Sequence, residues 1–258
     1  VSEAQPSSTI YENVVEFVEN YLGPVYRRHV SDLSDTQWCP EWWKHAEATI
    51  RLDALWRAWE YYRLDGGAGI SVWLNDHADR HMRRLLDQRG PFTYCNVGDG
   101  HQDMLDPMPL KSPPPHLFPD PIRSDSETAT DSGRVTVYRD VVEYVENYLS
   151  LVYRRQVSGY VVWCPEWWKH AEAIARLDAL WRAWEYYRLD GRAGISVWFL
   201  EHADPHMFEL LDRRGPFEYC GELGGHQNTL APLPLRSPPP NIFRDPIVAD
   251  LETESDSA

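Results

Sequence analysis

Apolar positions along the chain fall into helical stripes. Val14, Phe17, Val18, Tyr21, Leu22, Val25 and Tyr26 follow the i, i+3, i+4, i+7 spacing of one buried helix face. Val141, Tyr144, Val145, Tyr148, Leu149, Val152 and Tyr153 repeat it. Both stripes end on paired arginines, Arg27–Arg28 and Arg154–Arg155, which complement the negative end of a helix. Pro24 would permit a kink in the first stripe, whereas its counterpart Leu151 requires none. A longer helix is predicted from Pro40, with Glu41 at its positive end, to a stop at Asp65-Gly66. Trp42, Ala46, Leu52, Leu55, Trp56, Trp59 and Tyr62 form its apolar face. Glu47–Arg51 and Asp53–Arg57 are i, i+4 pairs worth about 0.2–0.5 kcal/mol each and read as a solvated face. A third helix is expected from Ser71 as N-cap, through Trp73, His77, His81, Met82 and Leu85, to Gly90-Pro91. PFTYC, at 91–95, reads as a short strand.

These stripes occur twice because the sequence does. Residues 38–65 return at 163–190 with 26 of 28 positions identical. The fold class expected is mainly α: two repeated three-helix units, each with a proline-rich extended arm. The arms are PLKSPPPHLFPDP at 109–121 and PLPLRSPPPNIFRDP at 232–246. Leu117/Phe118 and Ile242/Phe243 anchor them, either across the arm's own helices or in an aromatic groove elsewhere. The division is a disordered N-terminus at 1–9, a first unit at 10–121, an acidic linker at 122–136, a second unit at 137–246 and an acidic tail at 247–258.

Duplication means that any site should be present twice and any binding should be suspected of bivalence. His77 and His81, four apart on a helix, point the same way, as do His202 and His206. With Cys39 and Cys95, or Cys164 and Cys220, they would make a Cys₂His₂ set suited to zinc. His45, His101, His170 and His226 are reserve ligands. The plainer reading is histidines that hydrogen-bond core groups and cysteines that are buried thiols, or a disulfide in an exported protein. HADRH and HADPH lack the glutamate of a metalloprotease motif, and no phosphate-cradling loop or nucleophile elbow is present.

All 12 tryptophans lie in the repeats, six per copy, and are expected chiefly to fill small cores. A binding surface from Trp42, Trp43 and Arg57, and from Trp167, Trp168 and Arg182, would offer stacking platforms. A net charge of −15, with lysine only at 44, 111 and 169, argues against nucleic acid. No apolar run would span a bilayer and no leader pattern opens the chain; four cysteines do not make a disulfide scaffold, so the cytoplasm is the expected compartment.

The block WCPEWWKHAEA-x-x-RLDALWRAWE, followed by GISVW, HAD-x-HM and GPF-x-YC, resembles an actinobacterial family catalogued as domain of unknown function 4913. The resemblance implies a small cytoplasmic module, often carried by mobile or conjugative elements, with no established activity or catalytic residues. The expected function is a non-enzymatic protein-interaction or accessory module that needs no cofactor and takes a protein partner, bivalently. Zinc binding or metalloenzyme chemistry is the alternative, and single-stranded nucleic-acid binding the second.

Overall fold

The computed structural model describes residues 9–30, 36–96, 98–114, 117–118, 136–221 and 225–231. The acidic linker, apart from Thr136, the tail and the second arm beyond Ala231 lie outside them. In each unit a polar side chain starts the first helix. Asn13 Oδ1 accepts the Glu16 N–H at 3.0 Å, and Asp140 Oδ1 accepts the Glu143 N–H at 2.8 Å. Helix α1 (residues 14–25) and its counterpart α4 (residues 141–152) each contain a π turn, Val18–Leu22 and Val145–Leu149. The turn recurs where Leu151 replaces Pro24, so the proline does not cause it.

Helix α2 (Ala46–Tyr62) and its counterpart α5 (Ala171–Tyr187) begin later than the sequence suggests. Pro40 does not open the helix: Trp42–Lys44 forms one 3-10 turn, and His45 is extended at φ −102°, ψ 112°. Helix α3 (residues 69–85) and its counterpart α6 (residues 194–211) also carry π turns, Trp73–Ala78 and Trp198–Ala203. α3 starts at Gly69 rather than at a Ser71 cap. The corner demands glycine, because a Cβ at Gly69 would lie 2.0 Å from the Tyr62 carbonyl oxygen. The strand expected at 91–95 is replaced, among the described residues, by isolated bridges Asn96–Gly100 and Gly221–Gly225.

Most indole rings pack inside, as their density requires. Trp73 donates to the Leu55 carbonyl at 3.1 Å and Trp198 to the Leu180 carbonyl at 3.2 Å. Phe17, Tyr21 and Trp59 form one ring cluster; Tyr144, Tyr148 and Trp184 form its twin.

The two units share a buried polar seam. Arg51 was expected on a solvated face, yet it is fully buried, bonded to Glu47 at 2.9 Å and to Asp204 of the second unit at 2.5 and 3.1 Å. Arg155 closes on Glu47 at 2.6 Å, and Tyr153 donates to Asp204 at 3.1 Å. Two cations and two carboxylates thus balance out of water, each hydrogen-bonded. The repeat's other copy keeps the expected solvated pair, with Arg176 on Glu172 at 2.8 Å and Glu172 exposed.

The first proline arm does not lie on its own helices. Its described residues run without helix or strand over the second unit, just after Met108, which sits in that unit's core. Trp163 and Trp168 donate indole N–H groups to the Pro109 and Lys111 carbonyls, both at 3.0 Å. The Lys111 N–H reaches the Pro165 carbonyl at 2.9 Å and its ammonium reaches Glu166 at 2.8 Å, while Phe118 packs on Trp167.

Candidate metal centre

Each unit gathers two thiols and two imidazoles at one point: Cys39, His45, Cys95 and His101, then Cys164, His170, Cys220 and His226. Local structure aims each donor. The extended break at His45, between the 3-10 turn and α2, turns its ring away from the helix. The ring packs edge-on against Phe92, and it bonds the Pro91 carbonyl. A proline carbonyl only accepts, so the histidine nitrogen away from the cluster donates and Nε2 faces inward with a free lone pair. His170 repeats this with Phe217 and Pro216. The Glu41 and Glu166 backbone N–H groups bond the Cys39 and Cys164 sulfurs, which favours thiolate. Downstream, a turn with Gly100 at φ 75° folds His101 back towards Cys95; Gly225 at φ 59° does so for His226.

The separations are those of tetrahedral edges. His45 Nε2 lies 3.2 Å from His101 Nδ1, and the contacts of Cys39 with His101 and of Cys95 with His45 and His101 are 3.4 to 3.6 Å. The second unit gives 3.2 Å between nitrogens and 3.5 to 3.8 Å from sulfur to nitrogen. Zinc bonds of ordinary length imply edges of about 3.3 Å for N···N and about 3.6 Å for S···N. Both sets match. Burial pushes the Cys39 and Cys164 thiols up to about 12, with the neighbouring cysteine adding to it, and pushes His45 down to about 4. A bound dication would reverse that balance for the thiols.

The cysteines expected as ligands are therefore brought together, as free thiols rather than disulfides, but His77 and His81 are not with them. The histidine pair sits at the seam between units. His77 Nδ1 and His81 Nε2 lie 2.7 and 2.8 Å from Ser196 Oγ. Arg51 donates to His81 Nδ1 at 3.3 Å, so His81 Nε2–H donates to Ser196 and Ser196 donates to His77. Burial holds both imidazoles below their ordinary pKa, so they are neutral. His202 instead meets the Tyr187 ring and His206 meets Arg176. The reserve histidines supply the nitrogens. The signal was available: Cys39–His45, Cys95–His101, Cys164–His170 and Cys220–His226 all share the spacing Cys-x₅-His.

The expected stacking surface does not assemble. Trp42 and Trp167 are buried and Trp168 holds the arm. Arg57 and Arg182 pair with Asp53 and Asp178 beneath Trp56 and Trp181. Of the four tryptophans in that set, Trp43 alone is exposed, at 54%.

Among the described residues, no helix is long and apolar enough to cross a membrane. No curated protein and no solved structure matches the chain. A family model matches residues 11–114 and again residues 138–239, most of the length. The protein therefore belongs to the family of the domain of unknown function DUF4913, as a tandem pair.

Proposed function

We propose that each unit is a zinc-braced, non-catalytic interaction module, whose metal fixes an aromatic loop that receives a proline-rich segment. One loop carries this reading. Residues 164–170 begin and end on converging donors, and between them Pro165, Glu166, Trp167 and Trp168 all touch the arm. Thiolate with imidazole selects zinc, and four protein donors complete its tetrahedron. A closed shell is the arrangement of structural zinc; catalytic zinc keeps a position for water. The brace also ties the start of α2 to the segment after α3, across 50 residues between His45 and Cys95. A wider accessory role beside a mobile element enters this proposal only through the family resemblance.

Elemental analysis of the untagged chain tests the metal. Two zinc ions per chain are expected, one after Cys39→Ser, and none after Cys39→Ser with Cys164→Ser. His77→Ala should retain both. A folded chain without stoichiometric metal, its four thiols freely titratable, overturns the proposal.

A further inference from the structure

The junction between the units is head-to-tail. Unit one presents Glu47, Arg51, His77 and His81; unit two answers with Tyr153, Arg155, Ser196 and Asp204. In a two-fold arrangement the same surface would serve twice, with Arg176 on Asp79. It does not: Arg176 bonds Glu172 and His206, while Asp79 accepts from Tyr26 at 3.0 Å. Among the described residues, the molecule therefore ends in one open half-junction of each kind. Glu172, Arg176, His202 and His206 are exposed or half-buried, as are Tyr26, Arg28, Ser71 and Asp79. Their equivalents in the internal junction are buried or nearly so.

Both open halves already hold the geometry of the filled one. Arg176 keeps 2.8 Å to Glu172 and 3.3 Å to His206, as Arg51 keeps 2.9 Å to Glu47 and 3.3 Å to His81. Tyr26 holds Asp79 as Tyr153 holds Asp204, at 3.0 and 3.1 Å. The guanidinium over the neighbouring ring, Arg28 on Tyr26 and Arg155 on Tyr153, stands at 4.0 Å in both.

The arm follows the same polarity. Unit one lends its arm to the groove of unit two, where Trp163, Pro165 and Trp167 are buried. On unit one the matching groove leaves Trp38 half-buried and Pro40 and Trp43 exposed. The second arm, outside the described residues, repeats the arm sequence with Arg236 for Lys111, a cation for Glu41 as Lys111 is for Glu166.

We infer that the chain associates with further copies of itself head-to-tail, the second unit of one chain docking its Arg176 face and proline arm onto the Asp79 face and tryptophan groove of the next. The occupant is a second copy because the open surfaces are complementary to each other in charge and form. At the rim, Pro205 replaces Arg80, Glu209 replaces Arg84 and Leu74 replaces Phe199. The contact between chains is accordingly weaker than the tethered one, which also gains effective concentration. The inference uses the groove of the function proposed above but not its metal, so a zinc-free chain that associates in this way leaves it standing.

Sedimentation velocity of the full chain over a concentration series tests it. Wild type should shift from one-chain mass to dimers and larger species with concentration. Arg176→Ala and Asp79→Arg should each remain one chain, and their mixture should give a 1:1 dimer that grows no further, since each retains one sound end. Arg28→Glu, at an exposed position, should behave as Asp79→Arg and guards against misfolding of that variant. One-chain mass throughout for wild type, including a chain whose second arm folds back on its own groove, overturns the inference. So does association that all three variants leave unchanged.

Discussion

Asp204 and Arg51 show how one pair of residues couples the two units. Burial opposes ionisation of Asp204, but the Arg51 guanidinium outweighs it and holds the carboxyl below its ordinary pKa. Glu47, equally buried, is held low by Arg155 and Arg51. Asp204→Ala leaves a desolvated guanidinium without its main partner and should cost about 3–5 kcal/mol in denaturant unfolding. The same carboxylates set a pH dependence. Both bind a proton less readily folded than unfolded, so their contribution is complete above about pH 4, the ordinary carboxylate range, and vanishes as pH falls through the lower folded values. Melting temperatures from pH 7 to 3 should drop below about pH 4, with a shallower drop in Asp204→Asn; equal slopes would discount the pair. The ion pair Glu47–Arg51 was legible as a helix neighbour, but its burial was not. The identical Glu172–Arg176 remains solvated, so only the surface packed against it distinguishes the two.

At the scale of elements, apolar period located the six helices of the described residues, and their ends were set by contacts that period does not encode. Helix α2 begins at Ala46 because His45 is extended, with its ring aimed at the cysteines. Helix α3 begins at Gly69 because α2 passes too close for a side chain. Gly69→Ala should therefore destabilise by about 1–3 kcal/mol, since a methyl is forced against backbone, although alanine is the better helix former. Gly66→Ala, with open space around its Cβ position, is the control and should change stability far less. Thermal unfolding of the two variants compares them directly, and equal melting points would refute the close-contact account.

For the whole molecule, the metal proposed above would be coupled to the arm through the loop at 164–170. Stripping zinc with a chelator should loosen Trp168 and Glu166, and with them the arm's hydrogen bonds at Lys111. Limited trypsin digestion reads this as faster cleavage between Lys111 and Ser112, by several-fold, with reversal on adding zinc back. An unchanged rate would separate the metal from the groove. The arm's apolar anchors were visible in the sequence, but their destination was not. The choice between a unit's own helices and its neighbour's depends on where the neighbour sits.

The amino-acid sequence by itself determined the duplicated helical unit and its aromatic interior. Both follow from local periodicity and from apolar volume that water rejects. It also carried the ligand types and their recurrent Cys-x₅-His spacing, since chemistry and loop length are properties of the chain. Packing settled which histidines join the thiols, which copy of each surface is buried, and where the described part of the first arm lies. Those outcomes turn on distances between residues 50 or more apart along the chain, such as His45 and Cys95 or Arg51 and Asp204. The cysteine–histidine distance is alike in both copies, whereas the Arg51–Asp204 contact arises only where one copy has packed against the other.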